Sequence, residues 1–172
     1  MGALRGACAA VLPSYACLVP TSGAEVEVFA DVLTAGGRSN SLGRAREVVD
    51  AVLADRARLA ELWACIGHDD AYVRMRAIDS FEKVVNEQPA WADPYVSRIV
   101  DDLTASRQPS IRWHVAQLFP QVQLDDEQRE RAIVWLRARL ATTDVDWIVS
   151  VNCMRALLNF HERGDPLVAD EV

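Results

Sequence analysis

One set of apolar residues recurs about every 37 residues through the last two-thirds of the chain, and this recurrence limits the fold more than any other feature. Leu59, Leu62 and Ile66 are echoed by Val96, Ile99 and Leu103, then by Ile133, Leu136 and Leu140. A second set follows each of these. Val73, Ala77, Ile78, Phe81 and Val84 map onto Ile111, Val115, Ala116, Phe119 and Val122, then onto Val149, Cys153, Met154, Leu157 and Phe160. A unit of this length cannot bury its own apolar face, so neighbouring units must stack to form one core. The period predicts an architecture and carries no chemistry.

The spacing within each set is helical, and no strand-like alternation occurs. Each unit reads as two antiparallel helices, A then B. The A helices are expected near 56–67, 94–106 and 126–141, and the B helices near 71–87, 110–121 and 147–162. Asp93-Pro94 looks like an N-cap followed by proline at the first helical position, where the missing N–H costs nothing. Asp125 and Gln128 have capping-box spacing, and Asp70 and Asp146 stand just before B helices. Upstream, Glu25–Leu33 and Leu42–Ala54 are expected to be helical. Between them, Gly36 or Gly37 suits a helix C-cap, and Asn40 or Ser41 a start. The organisation expected is therefore a leader over 1–24, a helical lead-in over 25–54, repeats over 55–164 and the stub of a further helix over 165–172.

Bulk properties exclude some functions. The 172 residues suffice for one domain with a real core. The net charge of −7 disfavours general binding to nucleic acid or anionic membranes, which requires a basic footprint. No run of about 18 apolar residues exists, so no membrane span is expected. Residues 1–24 loosely imitate a signal peptide, but Pro13 breaks the apolar run and the start carries one arginine. A disordered leader or an over-extended start is favoured, with a cytoplasmic location. None of Cys8, Cys17, Cys65 and Cys153 forms a C-x-x-C pair, and Cys65 and Cys153 are expected to be packed, reduced hydrophobes.

Asp69-Asp70-Ala71-Tyr72-Val73-Arg74-Met75-Arg76-Ala77 resembles the turn and second helix of a HEAT repeat, and Gln108-Pro109-Ser110-Ile111-Arg112 resembles it again. The stretch from Gly37 to Arg44, with Arg74–Ala77 and Arg112–Gln117, resembles small stand-alone bacterial HEAT-like proteins, a group with no assigned biochemical function. This resemblance covers roughly residues 37–168. It implies an all-α, right-handed α-solenoid of about three HEAT-like hairpins, with B helices on the concave side. It also implies a structural ladder in which Arg74 and Arg112 bond loop aspartates such as Asp70. Ser150 stands at the arginine position of the third unit. Relatives of this kind continue with another helical pair, so an open C-terminal end is expected, its apolar surface either used for self-association or created by truncation.

No catalytic motif stands out. His68-Asp69 is the doublet of helical metal-dependent phosphohydrolases, yet His114 and His161 lie in other units, so a polar turn is preferred and no metal or cofactor is expected. Gly36–Ser41 lacks the Lys-Ser/Thr pair of a P-loop and follows no strand, so it reads as a capping turn. The outward stripe of the B helices is the candidate binding surface: Arg76, Asp79, Trp113, His114, Gln117, Asn152 and Arg155. Trp113 suits an interface anchor. The expected function is a non-catalytic module binding a protein or peptide there. The alternatives are a nucleic-acid-binding or DNA-repair protein and, behind it, a helical-repeat lyase or hydrolase.

Overall fold

The computed structural model describes residues 27–35, 37 and 41–169. The expected leader over 1–24 lies outside them, as do Gly36 and Asn40. The described chain is all-helical: α1 (Phe29–Thr34), α2 (Ala45–Ala54), α3 (Leu59–Cys65), α4 (Ala71–Glu87), α5 (Val96–Asp101), α6 (Pro109–Leu118), α7 (Asp126–Leu140) and α8 (Trp147–Glu162). Packing runs from α2 to α4 to α6 to α8, while α3 packs on α4, α5 on α7 and α7 on α8.

The long helices start where local chemistry places them. Asp70 Oδ1 accepts from the Tyr72 N–H at 2.7 Å, and Asp146 Oδ1 from Ile148 at 2.9 Å. Asp125 and Gln128 form a full capping box at α7. Each satisfies N–H groups that a helix start leaves without internal partners. At the far end of α8, Gly164 takes φ +74°. The Gly164 N–H reaches His161 O at 2.8 Å and the Asp165 N–H reaches Phe160 O at 3.0 Å, a Schellman closure that needs a left-handed residue.

Three local expectations are corrected. Asp93-Pro94 does not start a helix: Pro94 lies inside a 3₁₀ segment over Pro89–Tyr95, and α5 begins only at Val96. The expected A helices around α3 and α5 are accordingly shortened by 3₁₀ turns at Arg56–Arg58 and Leu103–Ala105. Residues 166–169 form turns rather than a helix. Asp165 Oδ1 accepts from Leu167 N–H, Asp165 pairs with Arg129 at 3.1 Å, and Val168 is buried against the core.

The apolar sets make one continuous core. Leu62, Val73, Ala77, Ile78, Phe81, Val84, Ile99, Val115, Ala116, Phe119, Leu136 and Cys153 are essentially inaccessible. Burial pushes the Cys65 and Cys153 thiols up to about 11, so both stay protonated at neutral pH. The last unit departs from the pattern. Met154, the counterpart of buried Ile78 and Ala116, is 51% exposed, and Leu140 also reaches solvent. Ile78 and Ala116 are buried where α4 packs on α6 and α6 on α8 within the row. Among the described residues, no B helix follows α8.

The lead-in is tied down by polar contacts. Glu61 Oε1 accepts from the Phe29 N–H at 2.6 Å, placing a carboxylate at the start of α1. Arg58 bonds Glu61 and Glu27 O, and its guanidinium lies 3.7 Å from the centre of the Phe29 ring. Gly37 has φ +112°, and a side chain there would meet Ser41 Oγ at 2.7 Å. Only glycine suits that approach.

Candidate functional site

Arg76, His114 and Asn152 occupy equivalent positions on α4, α6 and α8, and all three are buried. This corrects the outward stripe expected from the sequence. Each side chain points toward the preceding element of its row. Arg76 donates to Ser41 O at 2.8 Å, to Leu33 O at 2.5 Å and to Thr34 O at 3.5 Å, clasping the α1–α2 connection. His114 Nε2 lies 3.9 Å from Asp79 Oδ1 on α4. Asn152 Oδ1 accepts from Gln117 Nε2 on α6 at 3.1 Å, and its Nδ2 donates to Ile148 O at 2.8 Å. These residues are polar joints between helices. A position on the margin of the apolar face becomes buried once a neighbouring helix closes over it.

Asp79, Gln117 and Arg155 form the complementary row. Asp79 bonds Lys83 at 2.5 Å and faces His114, and Gln117 bonds Asn152. Arg155, on α8, is exposed and has no such partner among the described residues. Trp113 is half-buried, packed against the core, with its ring 5.5 Å from that of His114.

The expected Asp–Arg ladder takes a different form. Asp70 is occupied by its own helix start. Arg74 instead donates to His68 O, Asp69 O and Gln108 Oε1 at 2.7, 2.8 and 2.8 Å. Gln108 Nε2 returns a bond to Ala71 O at 2.8 Å, so Gln108 is the link between the α3–α4 and α5–α6 turns. Arg112 donates to Ser106 O at 2.7 Å. His68 Nδ1 accepts from Asp70 N–H at 3.0 Å, which makes His68-Asp69 part of the same turn. Among the described residues, no group of three or more His, Cys, Asp or Glu side chains is placed to hold a metal.

A groove of about 290 Å³ lies between α4, α6 and α8, lined by Glu82, Gln117, Pro120, Gln121, Asn152, Arg155, Asn159 and Arg163 among others. Glu82 and Arg163 were not singled out by the repeat register, because they lie beside the aligned positions. The hydrogen bonds fix how the amides point. Gln121 Nε2 donates to Glu82 Oε1 at 3.2 Å and to Gln117 O at 3.0 Å. Gln117 Nε2 is held by Asn152. Gln117 also interacts with the His114 ring, and Gln121 Oε1 and Asn159 Oδ1 are shielded from solvent without a protein donor. A shielded acceptor left unpaired costs about 1–3 kcal/mol. Two beside one groove give it acceptor capacity that the described side chains leave unused.

Comparison with protein-family models, with curated proteins and with solved structures finds no match for this chain. The site therefore has to be read from its own geometry.

His114 sets a pH dependence. Burial pushes its pKa down from 6.5 to about 4, with Asp79 and a hydrogen bond to Gln117 pulling the other way. The unfolded chain therefore takes up a proton at this histidine near pH 6.5, whereas the folded chain resists until about pH 4. The contribution to stability is complete above pH 6.5 and falls as the pH is lowered through that window, by at most about 1.4 kcal/mol per pH unit. Between pH 6.5 and 5, urea unfolding should show this slope, and His114→Gln should flatten it. An identical slope in that variant would assign the effect to other groups.

Proposed function

We propose that the chain is a non-catalytic interaction module, built as a short right-handed solenoid of HEAT-like helical pairs, that holds a protein or peptide segment in the α4–α6–α8 groove. The observation that carries this reading is the pair of unpaired amide oxygens beside the groove, Gln121 Oε1 and Asn159 Oδ1. A polypeptide offers N–H donors along its length, and small rotations of these side chains would bring the oxygens to them. Half-buried Trp113 stands one helical turn before Gln117 on α6 and extends the same surface with an aromatic anchor. Arg155 and Glu82 give the groove both signs of charge, which suits the mixed polarity of a peptide. The helical pairing of α3 with α4 and of α7 with α8, linked through α4, α6 and α8, supports the stacked arrangement.

The nucleic-acid reading loses support from the burial of Arg76, one of the few basic groups assigned to the stripe. Selection from a displayed library of random peptides tests the proposal directly. Peptides enriched on the wild-type protein should lose about tenfold or more in affinity on a Gln117→Ala, Gln121→Ala double variant. No enrichment, or enriched peptides indifferent to the double variant, would reject the groove as the binding site.

A further inference from the structure

Arg155, Asn159 and Arg163 follow one another at four-residue spacing on α8 and its closing turn, which sets two guanidinium groups on either side of an amide. All three line the α4–α6–α8 groove, whose lining holds one carboxylate, that of Glu82. The groove thus carries an excess of positive charge on a chain whose net charge is −7. Glu82 is already engaged: its Oε1 accepts from Asn86 Nδ2 at 2.5 Å and from Gln121 Nε2 at 3.2 Å. Glu162, the carboxylate between Asn159 and Arg163, is exposed and is not part of the lining. Arg163 Nη1 donates to Pro120 O at 2.7 Å, so that guanidinium is tied to the chain just after α6. Arg155 is exposed and, among the described residues, makes no ion pair or hydrogen bond. Asp79 and Gln117 hold the equivalent positions on α4 and α6, and each meets a side chain of the next B helix, His114 and Asn152. Arg155 is the member of that row left to a group from outside the described chain.

We propose that the groove selects peptides that carry a carboxylate, seated on the Arg155 guanidinium, with neighbouring backbone N–H groups donating to Asn159 Oδ1 and Gln121 Oε1. The inference rests on the peptide reading of the groove and names the chemistry of its partner. Two kinds of group in the groove are uncommitted: a cation and two acceptors. An occupant that satisfies both brings an anion and N–H donors in one molecule. An inorganic anion or a nucleic-acid phosphate supplies the charge without adjacent donors. An amine supplies donors but meets Arg155 and Arg163 as a like charge. A peptide with an acidic side chain or a free C-terminus supplies both. Its carboxylate can take two parallel bonds from a guanidinium, the strong form of this contact. The spacing also fits. Four residues of helix separate Arg155 from Asn159 by about 6 Å along the axis. Two residues of extended peptide span about 7 Å, which brings a backbone N–H to Asn159 when the carboxylate lies on Arg155.

Retention of short N-acetylated peptides on the immobilised full chain, read by mass spectrometry, tests this. The probes are three pools with the same randomised uncharged positions: one ending in a free carboxylate, one amidated with a single fixed Glu, and one amidated without it. At low salt at least one acidic pool should be held about tenfold more tightly than the neutral pool, the size expected of a charge-assisted contact. Added salt should narrow the gap. Which acidic pool leads distinguishes a C-terminal carboxylate from an acidic side chain. Arg155→Gln should remove the preference and leave the thermal melt close to wild type, since the side chain is exposed. Arg46→Gln, an exposed arginine on α2, should keep the preference. Acidic and neutral pools held alike overturn the inference, as does a preference that survives Arg155→Gln or disappears equally in Arg46→Gln. If pools held alike are released by Gln121→Ala with Asn159→Ala, the groove still binds peptide and only the carboxylate selection fails. No retention of any pool rejects the groove reading together with the inference.

Discussion

Phe81→Ala should remove about 3–5 kcal/mol of stability, the range for deleting a large buried aromatic ring. Phe81 is fully buried on α4. Its ring meets Trp63 edge-on at 5.0 Å and Tyr95 edge-on at 5.7 Å, while Trp63 and Tyr95 stack on each other at 4.5 Å. The Arg98 guanidinium lies 4.9 Å over the Trp63 ring on the outside of the cluster. Three separate segments (α3, α4 and the 3₁₀ segment before α5) meet at this ring. None can move inward without leaving its other contacts, so the cavity would collapse poorly. A domain of this size has about 5–15 kcal/mol of stability in total, so the variant should be near its unfolding midpoint in mild urea. Urea titration followed by circular dichroism measures the change, and Phe81→Leu should recover a large part of it. A loss under about 1 kcal/mol for the alanine variant would show that the cluster repacks freely.

Arg76→Ala should cost about 2–4 kcal/mol, and the loss should be local. Among the described residues, the buried guanidinium bonds three main-chain oxygens, those of Leu33, Thr34 and Ser41, and no carboxylate. Its removal leaves these oxygens without their donor and opens space between α4 and the α1–α2 connection. The neighbouring Ser80 hydroxyl reaches Ala45 O at 3.3 Å and offers only one further tie on that side. Arg76→Lys should rescue little, because one ammonium cannot span oxygens from two sides of the connection. Hydrogen exchange is the discriminating measurement. Amides of α1 and α2 should exchange faster in the alanine variant, while those of α7 and α8 keep their protection. Equal acceleration along the whole chain would show that Arg76 supports the core and does not act as a clasp.

The two residues also show where reading the chain by itself succeeds and where it stops. Phe81 was legible as core because it falls at the apolar spacing shared by α4, α6 and α8. Helix starts at Asp70, Asp125 and Asp146 were legible because capping depends on a few adjacent residues. Asp93-Pro94 has the same local signature, yet the chain there runs as a 3₁₀ segment that places Tyr95 against Trp63 and Phe81. Packing outweighed the local preference. The candidate stripe was half legible. Trp113, Gln117 and Arg155 lie on or near the surface, but Arg76, His114 and Asn152 are enclosed.

Local interactions thus determine, from the amino-acid order alone, that this chain is helical, which residues recur as core and where its long helices begin. Those properties depend on periodicity and on contacts within a turn or two. The tertiary structure alone decides the fate of polar residues at the edge of each apolar face. Burial there depends on whether a neighbouring helix closes over the position, and hydrogen bonds between segments far apart in the chain then choose its partners. The same reason explains the end of the row. Met154 has the spacing of a core residue and the exposure of a surface one, because nothing described packs beyond α8.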